Sequence, residues 1–352
     1  MHVRLLRRSL PVVAALSLLA ALPAGAQFVT LPQPSPAATV TQTVGITEIT
    51  VEYNRPSVNG RTVWGGLVPY DAVWRAGANE NTTITFSHPV EVGGQPLAAG
   101  TYGLHVLPHQ NGPWEVAFSD TASAWGSFSY DESEDAARIE VAPEAAPHRE
   151  QLAYAFDEVA KNDATLALHW ETVRLPIPIS VDTDAAVLAS LGDELRGISQ
   201  FFWQPWTQAA NYVLANQLDA EQGLAWVESS IGVEENVTNL SLKSRLLRAA
   251  GRDGEANEVL ARAEGLAASE AEINNLGYGY LQGGDVAKAI EVFERNTREH
   301  PESWNVWDSL AEAQAAAGRT DEAAANYAKA REMAPEAQHA RIDAAVEQLE
   351  GE

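Results

Sequence analysis

Two periodicities divide the chain. Between residues 37 and 181 apolar and polar side chains alternate in short runs, the pattern of strands with one buried face. Ile49, Val51 and Tyr53 alternate with Glu48, Thr50 and Glu52, and Ile84 and Phe86 repeat the pattern. Val90-Glu91-Val92 runs into Gly93-Gly94, a hairpin turn because both glycines accept positive φ. Ala99-Gly100 is a second turn before a strand at 102–107, and further strands are predicted at 114–118, 139–141, 152–156, 166–170 and 173–181. Pro176 and Pro178 cannot donate to a ladder, which predicts that the last strand lies at an edge. About eight to ten short strands without a helical period between them predict an antiparallel sandwich or barrel.

From Asp184 the period changes. Val187, Leu188, Leu191, Leu195 and Ile198 recur at helical spacing behind Thr183 or Asp184 as a cap, predicting a connecting helix over 182–200. Residues 201–352 read as helical throughout. Leu276-Gly277, Tyr280, Ala289, Phe293 and Pro301 recur 34 residues later as Leu310-Ala311, Gln314, Ala323, Tyr327 and Pro335. The clear copies fall in about 236–335, with weaker copies upstream, and Pro301 and Pro335 end the second helix of each pair. This segment is similar to the tetratricopeptide repeat. The resemblance implies an all-α superhelix whose concave face takes an extended peptide or a helix, with a charged final helix as a solvating cap. Groove-facing candidates are Asn274, Tyr278, Asn305, Asp308 and Glu312. Some relatives clamp a terminal carboxylate with basic residues; these five lack that basic set, so a polar or basic peptide is the expected partner.

The first 26 residues have the form of a secretory signal: Arg4, Arg7 and Arg8, an apolar run from Leu10 to Leu22, then Ala24-Gly25-Ala26 before Gln27. The run is shorter than the roughly 20 apolar residues a spanning helix needs, and cleavage after Ala26 would release a periplasmic or secreted protein. Residues 27–36, with three prolines, read as a linker. The acidic balance, 48 acids against 23 bases, repels phosphate backbones and argues against a nucleic-acid partner. With no cysteine in the chain, thiol nucleophiles, thiolate metal sites and disulfides are excluded.

Within the first domain, Val51-Glu52-Tyr53-Asn54-Arg55-Pro56-Ser57, Gly60-Arg61, Gly65-Gly66-Leu67-Val68-Pro69-Tyr70, Val73-Trp74-Arg75-Ala76-Gly77-Ala78-Asn79-Glu80 and Ala99-Gly100-Thr101-Tyr102 form long, specific motifs. They closely resemble the bacterial domain-of-unknown-function family 2911 over nearly all of residues 37–181. That resemblance implies an exported β-domain and supplies no activity.

The stretch 71–80 carries the densest candidate chemistry. Arg75 could bind a carboxylate, with Asp71, Asn79 and Glu80 supplying further hydrogen bonds. Against this stands an internal Arg75–Glu80 pair with Asn79 closing a turn. Arg55, Arg61, Trp64 and Trp74 could add an aromatic shelf for a sugar ring or a cation; the alternative is that the tryptophans are core residues, with Trp74 pointing inward. His105 and His109 sit on a strand and across Pro108, which defeats ligand spacing, and no metal or cofactor is expected. No Gly-x-Ser-x-Gly elbow occurs, and an acid pair such as Glu80 and Asp131 is weak ground for a hydrolase in so acidic a chain. The expectation is a non-catalytic exported protein that docks a partner through its repeats. The alternative is a small ligand or glycan on the β-domain.

Overall fold

The computed structural model describes residues 31–350. The signal-peptide reading of residues 1–26 lies outside the described residues.

Ten strands build the first domain: β1 (Ala37–Val44), β2 (Thr47–Asn54), β3 (Thr83–Phe86), β4 (Val90–Val92), β5 (Gln95–Leu97), β6 (Gly100–Leu107), β7 (Trp114–Ser119), β8 (Asp135–Val141), β9 (Glu144–Asp157) and β10 (Asp163–Ser180). They form one sheet in the order β1-β2-β3-β6-β7-β8 and a second in the order β5-β4-β10-β9, antiparallel throughout. The sheets remain separate, so the barrel alternative gives way to a sandwich. Ile49, Val51, Ile84, Leu104, Val116 and Phe118 from the first sheet meet Leu152, Leu166, Leu168 and Ile177 from the second in one buried cluster.

Two strand expectations change. β1 lies outside the predicted strands, because its Thr- and Gln-rich sequence carries only a faint alternation. β10 is not an edge strand; it lies between β4 and β9. Its prolines are tolerated because pairing with β9 ends at Arg174 and pairing with β4 begins at Ile179, leaving Pro176 and Pro178 between the two ladders.

The helices are α1 (Thr183–Glu194), α2 (Trp203–Ala215), α3 (Ala220–Val233), α4 (Val237–Ala249), α5 (Asp253–Glu264), α6 (Glu270–Gln282), α7 (Val286–Glu299), α8 (Trp304–Ala316), α9 (Thr320–Met333) and α10 (Glu336–Glu350). α2/α3, α4/α5, α6/α7 and α8/α9 are hairpins stacked in series. At the C-terminal ends of α6 and α8, Gly284 and Gly318 take positive φ, and the residues after them donate to the Tyr280 and Gln314 carbonyls. This closure ends a helix without orphaned carbonyls.

The connecting helix is shorter than expected. Asp182, rather than Thr183 or Asp184, caps α1 by accepting from the Ala185 amide. Thr183 is buried against Gly45 and donates to the Lys161 carbonyl, while Asp184 accepts from Tyr212 of α2 at 2.6 Å. The junction thus belongs to both domains. No described helix is long and apolar enough to cross a membrane.

Candidate functional site

The first helices of successive hairpins line one face of the array. Between α2, α4 and α6 they enclose a groove of about 500 Å³. Gln208 and Asn211 project from α2, Thr238, Ser241 and Arg245 from α4, and Asn275, Tyr278 and Gln282 from α6. The array brings them together because side chains 34 residues apart occupy equivalent places: Asn275, Ser241 and Thr207 all line the groove at that interval.

The groove's two charged groups differ in availability. Glu272 accepts from the Ser269 amide at 3.0 Å, the Ala268 amide at 3.1 Å and the Ser269 hydroxyl at 2.9 Å. These backbone bonds hold its carboxyl below the usual range and commit it to capping α6. Arg245 is exposed and forms no ion pair or hydrogen bond among the described residues. The Ser241 hydroxyl is buried without a partner. The uncommitted charge of this groove is therefore positive, where a basic peptide had been the expectation.

Of the five groove residues read from the sequence, Tyr278 lines this groove. Its hydroxyl donates to Glu312 at 2.7 Å, and burial raises its pKa. Asn274 keeps a buried, unpartnered Oδ1, and Asn305 donates to Glu270 at 3.4 Å. Asp308 is not free for a partner: it is buried and accepts from Arg341 of α10 at 2.8 Å. Arg341 also lies over the Trp304 ring, so the last helix closes this end of the array. Gln208, Asn211, Ser241 and Arg245 were missed. Extending the 34-residue interval upstream from the clear copies would have reached Ser241.

In the β-domain, the segment 71–80 is pinned from inside. Trp74 turns inward, its indole N–H donating to the Gly77 carbonyl at 3.0 Å. Ala76 is fully buried at a φ of 53°, and the buried Tyr154 hydroxyl donates to its carbonyl at 2.9 Å. A non-glycine residue in this left-handed region costs on the order of 1 kcal/mol or more, held in place by its surroundings. Trp64 also points inward. It packs at 4.6 Å from Trp114 and 5.8 Å from Trp170, with Trp74 and Trp170 stacked at 5.7 Å. The shelf reading of Trp64 and Trp74 is thereby corrected: both belong to the core, where burying rings of this size stabilises more than exposing them.

The polar candidates separate. Arg55 donates to the Leu152 carbonyl at 2.8 Å, and Arg61 to the Ser57 carbonyl at 2.6 Å, so both serve as backbone ties. Asp71 accepts from or shares a proton with His109 at 2.6 Å, and that bond raises the His109 pKa. Asn79 donates to the Ser35 carbonyl at 3.0 Å, and Glu80 accepts from Asn54 at 3.0 Å. Arg75 forms no ion pair with Glu80; its Nε is buried without a partner, and its guanidinium lies 6.0 Å from the centre of the Trp125 ring. Burial lowers its pKa, and Glu80 opposes that shift. Asp131 caps the turn Glu132–Glu134 through Ser133 and shares no groove with Glu80.

Residues 35–179 match the family model described as a protein of unknown function, DUF2911. Solved structures similar to the chain are tetratricopeptide-repeat proteins. YrrB, described as having an unusual peptide-binding site, is 18% identical, covers 45% of this chain and 82% of its own, and has a TM-score of 0.33. TTC0263 from Thermus thermophilus is 21% identical over 47% of this chain and 89% of its own, with a TM-score of 0.37. A repeat protein from Parabacteroides merdae is 13% identical over 46% and 62%, with a TM-score of 0.35. No curated protein matches the chain.

Proposed function

We propose that the protein is a non-catalytic binding scaffold whose helical array holds an extended peptide segment of a protein partner across α2, α4 and α6. One observation carries this reading: a groove of about 500 Å³ lined by Gln208, Asn211, Asn275 and Gln282, none bonded to another described side chain. Primary amides carry both a donor and an acceptor, the pair that an extended backbone presents at each residue. Arg245 adds one fork-shaped cation, suited to a single acidic side chain or a terminal carboxylate on the peptide. With the leader expected at residues 1–26, the place of action is the periplasm or the exterior.

The test is a fluorescence-anisotropy screen of extended peptides, each about 12 residues long, against the full chain and an Asn211→Ala/Asn275→Ala variant. Acidic, polar peptides should bind the wild type and bind the variant at least about tenfold more weakly, the effect of losing two backbone-directed bonds. Equal binding by both proteins, or preference for peptides without an acidic residue, counts against the groove as the docking site.

A further inference from the structure

A second groove lies on the outer face of the six-stranded sheet and takes no part in the peptide reading. Thr39, Glu52 and Thr83 form its floor as cross-strand neighbours on β1, β2 and β3. The loop Ala122–Trp125 forms one wall, Glu80 and Asn81 close an end, and the enclosed volume is about 380 Å³. Its charged lining consists of Glu52 and Glu80, and neither enters an ion pair among the described residues. Asn81 is only 8% exposed; its Nδ2 donates to the Ala122 carbonyl at 3.4 Å, which leaves Oδ1 as a buried acceptor without a donor. The groove therefore offers unfilled acceptors and negative charge.

Trp125 stands at the rim, 61% exposed, with Phe128, 84% exposed, stacked on it at 5.9 Å. Large exposed aromatics beside a cleft mark contact surfaces. An aromatic face combined with carboxylates is the arrangement by which proteins hold ammonium and guanidinium groups, and Arg75 already lies 6.0 Å from this ring's centre.

We propose that this groove binds an organic cation, a primary ammonium or guanidinium group on an alkyl stem, with Glu52 and Glu80 accepting its N–H groups and Trp125 covering the stem. The formal charge of −25 draws such a ligand toward the protein. This reverses the ligand charge that Arg75 alone suggests: Arg75 stands beside the aromatic rim, and the open volume belongs to the acids.

The full chain is titrated with cadaverine, with the tripeptide Gly-Lys-Gly and with propionate, followed by calorimetry and tryptophan fluorescence. Both amines should bind saturably and more weakly as salt rises. Binding should fall at least about tenfold in Glu80→Gln and in Trp125→Ala, with Arg75→Gln unaffected. Tighter binding of the tripeptide assigns the cation to a peptide side chain, and equal binding assigns it to a free amine. Because Glu80 also holds Asn54, melting curves accompany each variant; Glu52→Gln and Trp125→Ala, both at exposed positions, keep the test valid if Glu80→Gln unfolds. Equal amine binding by wild type and variants, or binding of propionate that disappears in Arg75→Gln, overturns the proposal.

Discussion

The two domains bury their cores in opposite ways. In the β-domain a single cluster runs through both sheets, and its tryptophans come from positions 64, 74, 114 and 170, far apart in sequence. In the helical array three clusters follow one another along the stack, each built mainly from neighbouring hairpins. A core of distant contacts forms all at once or not at all, whereas one of local contacts can open in parts. The same contrast governs the grooves. The β-domain groove is held by a sheet and a pinned loop. The array groove is spread over three helices whose relative placement depends on small residues between them.

The largest expected effect tests the single-core claim. Trp170 is 1% exposed and touches both Trp64 and Trp74. Trp170→Ala should cost about 3–5 kcal/mol and abolish the near-ultraviolet circular dichroism of the whole sandwich. The helical signal should melt as before. If the helices melt earlier by the same amount, the two cores form one cooperative unit and the contrast fails.

A smaller effect separates the domains by pH. His105 projects from β6 onto the outer face but is only 2% exposed, covered by Tyr130 at 4.8 Å and bonded to Ser127 at 3.2 Å. Burial depresses its pKa from 6.5 to about 4, against the opposing pull of Asp135. Between those values the unfolded chain holds more protons, so folding is disfavoured as pH falls. Stability from the neutral ring is complete above about pH 6.5 and drains away toward pH 4, a loss on the order of 3 kcal/mol. Denaturant midpoints of the sandwich at about pH 7 and about pH 4.5 should differ by more in the wild type than in His105→Gln. Parallel shifts in both proteins would assign the acid sensitivity elsewhere.

The sequence announced these architectures unequally. Alternation placed β2, β3, β6 and β7, and the interval between Leu276 and Leu310 placed the hairpins α6/α7 and α8/α9, because burial imposes those periods directly. The edge assignment for Pro176 and Pro178 went astray because strand order is a long-range property that a local breaker does not report. The candidate sites were legible in composition but not in partnership. Trp74, Arg75 and Glu80 are close in sequence, yet one enters the core, one lies beside Trp125 and one bonds Asn54. Arg245 escaped notice because its helix belongs to a repeat copy whose spacing in the turn had shifted.

The smallest effect sharpens the claim that the array responds locally. A Cβ on Gly277 of α6 would fall 2.4 Å from Cε1 of Phe293 on α7, and Phe293 is fully buried. Gly277→Ala gains about 1 kcal/mol of helix propensity. Displacing a buried ring costs about 1–3 kcal/mol, so the balance should be a net loss of up to about 2 kcal/mol. The equivalent Ala311 already carries a Cβ opposite Tyr327, a repeat that has settled on the other combination. Native-state hydrogen exchange should show faster exchange confined to α6 and α7, with the strands unchanged. Faster exchange across the sandwich would mean that the junction through Thr183 and Asp184 transmits the disturbance. A net gain in stability would mean that Phe293 yields at little cost, and that the spacing of α6 and α7, and with it one wall of the peptide groove, is set elsewhere.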